Sequence, residues 1–314
     1  MLKNYIIPGL LFILLSIFLP GTQGCALPPA GQATSPAEIK DQMGRSVRLD
    51  KLPQRIISLA PSNTEIIYAL GLQDKLVAVT DYCNYPPEAK QKPSIGGFST
   101  PNIEKIVALA PDLILAASIH QKQIVPQLEE RGMTVIALAP KSVNEVIAAI
   151  TLVGEITHKE EASRLAAEMK SKIKVITDRT NNLTETQKPR VLNVIWHDPL
   201  MAAGSGTFAD ELIRMAGGVN IAGNLSGYPS ISLETVIAAN PQVIITGVDM
   251  GTGADAPLQF AQTEPRLRNI DARLNYRIYG IDTDLVGRAG PRITDALEQF
   301  ARYIHPELFP ENKR

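Results

Sequence analysis

Two cysteines, four histidines, one tryptophan and almost no net charge are what this 314-residue chain offers, and each scarcity excludes something. Two cysteines cannot make a disulfide framework, so an apolar core has to hold the fold, which a chain of this length can supply. A formal charge of -1, from 31 basic and 32 acidic residues, gives no electrostatic ground for a nucleic-acid partner. No G-x-S-x-G elbow, P-loop, H-E-x-x-H or C-x-x-C motif occurs, which removes the commonest enzyme classes. The histidines are His120, His158, His197 and His305. Only His120 and His197 fall in loops able to face a cleft, which leaves a metal-ion receptor as a minor alternative and no metal site to assign.

The first residues carry a strong signal. Lys3 precedes an apolar run over residues 5–19 that ends at Pro20 and Gly21, too short for the roughly 20 residues that span a bilayer. It reads as an export signal over residues 1–24. The arrangement resembles a bacterial lipoprotein signal, which implies that Cys25 is lipidated and that residues 25–38, rich in Pro, Ala, Gly and Ser, form a flexible tether to the membrane. Cys83 is then left without a partner and reads as a small buried residue.

Beyond the tether, a Gly44 turn between short alternating stretches predicts a hairpin over residues 39–52. A βα rhythm follows. Buried-strand runs at residues 55–59, 76–80, 113–116 and 134–138 alternate with helical stretches at 63–70, 103–110 and 124–131. From residue 159 the pattern changes: Ala162, Leu165, Ala166, Met169, Ile173 and Ile176 recur at helical spacing, and no Gly or Pro intervenes before Pro189. A helix over residues 159–182 would span about 35 Å. The rhythm then restarts, with strands at 191–195, 243–246 and 277–281 and helices at 208–215 and 236–239.

The two stretches repeat one another. NIEKIVALAPDLIL (102–115) aligns without gaps to SLETVIAANPQVII (232–245), matching Glu104 to Glu234 and Pro111 to Pro241. A weaker echo pairs the segment starting at Arg55 with the strand starting at Arg190. The expected fold is therefore α/β: an N-terminal lobe (39–154) and a similar C-terminal lobe (188–314), each around a mainly parallel sheet. A connecting helix (155–187) joins them, and a ligand cleft lies between.

Aromatic residues make up 5% of the chain, so their placement is informative. Tyr82, Phe98, Trp196 and Tyr228 fall in loops or at strand ends, where the ligand crevice of a parallel sheet opens. Rings there suit a large, flat, partly apolar ligand; the competing reading is that they cap the lobe cores. Asp284 and Arg288, four apart in DLVGRAGPR, read as polar groups at the cleft rim or as a local surface pair. Glu104 and Glu234, in the first turns of equivalent helices, either complement helix dipoles or form two matched docking points. Ser62 and Glu65, near a helix start, are assigned to capping.

The order of RIISLAPSNTEIIYALG, YPPEA, NIEKIVALAPDLIL, the long helix and DLVGRAGPR resembles the receptors of binding-protein-dependent ABC importers built on a helical backbone, over about residues 41–309. That class takes cobalamin, ferric siderophores or haem. YCNYPPEA (82–89), GFSTPNIE (97–104) and DLVGRAGPR are most similar to its cobalamin-binding members. The resemblance implies a monomeric, non-enzymatic receptor with no cofactor beyond its ligand. Tyr82, Phe98, Trp196 and Tyr228 would pack around the corrinoid, with Asp284 and Arg288 at its polar edge and Glu104 and Glu234 docking the two halves of a permease dimer. Phe98 stands where those members carry Trp, and Leu285 and Val286 replace a bulky pair, so a siderophore or haem stays open as ligand.

Overall fold

The computed structural model describes residues 37–248 and 255–310. The signal segment, Cys25 and all but the end of the tether lie outside the described residues. Strand β1 (Ala37–Lys40) pairs antiparallel with β2 (Ser46–Leu49), and Gly44 sits in the turn at φ +79°, a conformation that costs glycine nothing. Asp41 pins this hairpin to the following lobe. Its buried carboxylate accepts from the Met43, Arg45 and Ala137 amides and pairs with Arg45 at 2.6 Å.

The first lobe runs β3 (Ile56–Ser58), α1 (Pro61–Ala69), β4 (Leu76–Ala78), α2 (Ile103–Ala108), β5 (Leu113–Ala117), α3 (Ile124–Glu129) and β6 (Val135–Leu138). Its four strands are all parallel, in the order β4-β3-β5-β6. Strands β3 and β6 are buried along their whole length, and β5 all but its last residue, because helices cover both faces; this is why they read as continuous apolar runs rather than alternating ones.

Two helices follow where one was expected. Helix α4 (Val143–Thr157) is apolar on most of its circumference, so it shows no stripe to the eye. Helix α5 (Glu161–Thr180) is the amphipathic one, burying Ala162, Ala166, Met169 and Ile176, and its 20 residues span about 30 Å. The two pack closely at a glycine: a Cβ on Gly154 would lie 2.1 Å from that of Ala162.

The second lobe runs β7 (Arg190–His197), β8 (Leu200–Ala202), α6 (Phe208–Met215), β9 (Val219–Asn220), α7 (Leu233–Ala239), β10 (Val243–Val248), α8 (Ala256–Thr263), α9 (Asp271–Leu274), β11 (Ile278–Asp282), α10 (Thr283–Gly287) and α11 (Ile293–Ile304). Its sheet has the order β11-β10-β7-β8, with β9 beside β7, and only β8 is antiparallel. One apolar cluster joins both lobes through α4, α5 and α11, with Ile67, Ile150, Met169 and Phe300 among its members.

The internal repeat holds at the level of single hydrogen bonds. Asn102 caps α2 by accepting from the Lys105 amide at 2.8 Å, and Ser232 caps α7 by accepting from Thr235 at 3.1 Å. Arg55 donates to the carbonyls of Leu109 and Ala110, and Arg190 to those of Ala239 and Asn240, the aligned positions at the ends of those helices. Ala110 and Asn240 both take φ +44°.

Candidate functional site

The loops that leave the C-terminal ends of the first-lobe strands gather on one side, as a parallel sheet dictates. The start of α1 after β3 (Pro61, Ser62) and residues following β4 (Tyr82), β5 (Ser118) and β6 (Ala139, Pro140), together with Phe98, line a cavity of about 460 Å³. Its opposite wall is α10 and the residues after it: Asp284, Gly287, Arg288 and Ala289. On the other side of α10 a smaller chamber of about 200 Å³ is lined by Asn193 and Ile195 of β7, Tyr228, Gly247, Thr283 and Val286. Gly287 borders both. The larger volume falls within the range of about 300–1,000 Å³ usual for small-molecule sites.

Of the six residues expected at a ligand, Tyr82, Phe98, Asp284 and Arg288 line the larger cavity and Tyr228 the smaller. Tyr82 and Tyr228 are strongly exposed, at 61% and 56%, so neither ring is spent on capping a core. Trp196 borders neither chamber. It is the penultimate residue of β7, with its indole N–H donating to the Asp198 carbonyl at 2.9 Å, and its ring contacts His197, which in turn contacts Phe260.

Asp284 and Arg288 do form the i,i+4 pair, at 2.6 Å, but Arg288 is no surface group. Its side chain is 12% exposed and reaches into the first lobe, donating to Asn84 Oδ1 at 2.6 Å and, at 3.4 Å each, to the Tyr82 carbonyl and Glu65 Oε1. The rim of the cleft is thus tied across the lobes.

Glu65 corrects its assignment to capping. It is the fifth residue of α1, whose N-cap is Ala60 with no side-chain cap, and it is 3% exposed. Both carboxylate oxygens are taken by Arg292 of the second lobe, at 2.6 and 3.0 Å, a forked pairing that suits guanidinium geometry. Gly290 permits this approach, since a Cβ there would lie 3.1 Å from Glu65 Oε2. The Arg292 guanidinium also sits over the Tyr85 ring, 3.8 Å from its centroid. Burial disfavours the charge on Arg292, but Glu65, then Tyr85 and Asp282, more than offset it and raise its pKa. Sequence offered one signal: Glu65 is the only charged residue of α1. Ser62 lines the cavity rather than capping α1.

His120 is fully buried, not cleft-facing. Its Nδ1 accepts the Ala117 amide at 2.9 Å, which leaves the hydrogen on Nε2 to be donated to the Phe98 carbonyl at 2.6 Å. The ring also meets Phe98 edge-on at 5.4 Å. His120 therefore staples together two cavity-lining segments, at Phe98 and at Ala117. Burial pushes its pKa below the ordinary histidine value, with the Phe98 carbonyl working the other way. Among the described residues no group of three or more His, Cys, Asp or Glu side chains is arranged to hold a metal ion.

Glu104 and Glu234 are both exposed and occupy the second position of α2 and α7. Hydrogen bonds from its own amide and from Ser232 hold the Glu234 carboxyl below its usual pKa, so it is anionic at neutral pH. Cys83 is buried and free, in hydrogen-bond contact with Thr64 and Thr80. No described helix is long and apolar enough to cross a membrane.

The family model for periplasmic binding proteins matches residues 56–285. The uncharacterized ABC transporter substrate-binding lipoprotein YvrC of Bacillus subtilis is 33% identical over 285 residues, covering 88% of each chain. Two solved structures superpose almost equally well. The periplasmic vitamin B12 binding protein BtuF of Vibrio cholerae gives a TM-score of 0.68 at 29% identity, covering 82% of this chain and 99% of that one. The periplasmic heme-binding protein RhuT of Roseiflexus sp. RS-1 gives 0.70 at 28%, covering 81% and 99%.

Proposed function

The chain belongs to the periplasmic binding protein family, and from that premise we propose that its cargo is cobalamin or a related corrinoid, captured between the lobes and delivered to a membrane permease. As a member of this family it is the substrate-binding protein of an ABC transporter, acting outside the cytoplasm on a small molecule and catalysing no reaction. The observation that carries the ligand reading is the larger cavity: a space of about 460 Å³ walled by the Tyr82 and Phe98 rings on one side and by α10 on the other, with the Tyr228 chamber beyond. Rings of this kind bury much apolar area at small entropy cost, which suits a broad macrocycle. The vitamin B12 binding relative supports the same choice.

Function here is affinity and handover. Nanomolar binding corresponds to about -12 kcal/mol, reachable when the cleft is preformed and little ordering remains to be done. The Glu65–Arg292 pairing and the Arg288 contacts hold the lobes in register before ligand arrives, so we expect modest closure. Glu104 and Glu234, on equivalent helices, are the proposed permease contacts, and Cys25 the proposed lipid anchor, in line with the lipoprotein relative. The protein acts as a monomer in this reading.

Haem or a ferric siderophore is the second reading, favoured by the equal superposition on a heme-binding protein. Calorimetric titration of the purified protein with cyanocobalamin, with haem and a ferric hydroxamate as competitors, separates them. The proposal predicts tight one-to-one corrinoid binding that neither competitor displaces. Corrinoid silence with clear haem or siderophore heat would move the ligand and leave the transport role standing.

A further inference from the structure

Asn193, which lines the second-lobe chamber, carries a buried polar atom without a partner. Asn193 of β7 is 3% exposed, and its amide N–H donates to the Ile245 carbonyl at 3.2 Å. That bond fixes the amide's orientation, because the flipped form would set oxygen against oxygen. Oδ1 is then left shielded from water with no hydrogen-bond partner among the described residues. The rest of the described wall does not supply one: Val194, Ile195 and Val286 are apolar, the Thr283 hydroxyl already donates to the Val248 carbonyl at 3.1 Å, and the half-exposed Tyr228 hydroxyl makes no bond to Asn193. Among the described residues no Lys, Arg, His, Asp or Glu lines the chamber.

A buried acceptor without a donor is costly, and a ligand that brings the donor removes that cost. With no described cation at hand, a carboxylate placed at Asn193 would be an uncompensated charge and an acceptor set against an acceptor. We propose that this chamber is a carboxamide subsite, in which Asn193 Oδ1 accepts an N–H from a neutral primary amide arm at the ligand's edge. The inference builds on the corrinoid reading and narrows it. A corrin carries primary amides around its rim, whereas the polar groups of haem are carboxylates. Specificity between two macrocycles of similar shape then comes from the second lobe.

The test compares dicyanocobinamide, whose arms are amides, with dicyano heptamethyl cobyrinate, whose arms are methyl esters without N–H, on the wild-type protein and on Asn193→Leu. Wild type should prefer the amide ligand by about tenfold or more, and that preference should shrink several-fold in Asn193→Leu, as the coupling of a donor to its acceptor requires. An unchanged ratio in a folded Asn193→Leu overturns the subsite while cobalamin binding, measured alongside, leaves the corrinoid reading intact. Failure of cobalamin, cobinamide and the ester alike to bind wild type overturns both. Should Asn193→Leu not fold, Asn193→Ala gives the same ratio to compare.

Discussion

The two lobes repeat one another, yet their walls toward the cleft are finished differently. Leu115 of β5 and Ile245 of β10 are aligned positions in the repeat, and in each lobe an asparagine donates to that strand's carbonyl: Asn63 from α1 to Leu115 and Ala116, Asn193 from β7 to Ile245. In the first lobe the surrounding polar groups close into a network, with Thr64 bonded to Ser58 and Cys83 and both nitrogens of His120 occupied. In the second, Asn193 Oδ1 and His197 Nδ1 have no hydrogen-bond partner among the described residues. On the proposed reading this is a division of labour, in which the first lobe supports the ligand's face and the second reads its polar edge.

The largest effect should come from cutting the tie between the lobes. Glu65→Ala leaves Arg292 buried without its main partner, and breaking such a pair costs about 3–5 kcal/mol, seen as a lower midpoint in chemical denaturation. A change under about 1 kcal/mol would mean that the pair contributes little to holding the lobes. Next comes the aromatic wall of the larger cavity: Tyr82→Ala should weaken ligand by about 2 kcal/mol in calorimetry, the scale of an interface hot spot. Trp196→Ala, outside both chambers, should change affinity less, and an unchanged affinity in Tyr82→Ala would place the ligand elsewhere.

His120 probes the platform. Its folded pKa lies below the unfolded value, so the native state binds fewer protons than the unfolded state as pH falls. Its contribution is therefore full above the ordinary histidine range and is lost on acidification, because a protonated Nδ1 can no longer accept the Ala117 amide. Stability and affinity should both fall between about pH 7 and pH 5. In His120→Ala both start lower, by about 1–3 kcal/mol, and that pH-dependent part is missing. Tyr85→Ala, which removes the ring under Arg292, should cost about 1 kcal/mol of stability. Smallest of all on affinity is the double change Glu104→Ala with Glu234→Ala. It should leave ligand binding as it was and lower uptake in cells, the separation expected of docking residues.

Much of this was legible in the chain itself. The repeat gave the two lobes and the paired positions of Glu104 and Glu234, because local periodicity and helix starts are written in adjacent residues. The aromatic loops and DLVGRAGPR led to the cleft. Helix α4 was hidden by apolar residues on nearly every side, and the ends of α5 moved by two residues because fraying is not encoded in a stripe. Glu65 was misread because its partner Arg292 lies 227 residues away, and His120 because its role is set by two backbone groups, one of them 22 residues away. Asn193 carried no signal at all; an unpaired atom exists only once the fold has removed its alternatives.

Trp196 is the only tryptophan in the chain, and it stands next to last in β7 beside the second-lobe chamber's Ile195. Its fluorescence, followed as cyanocobalamin is added to the purified protein, tests the central claim most directly, because a corrin bound between the lobes absorbs within energy-transfer range of that indole. The quenching should saturate and reach its end point at one equivalent. Emission that declines only in proportion to added chromophore, with no end point, would contradict that claim.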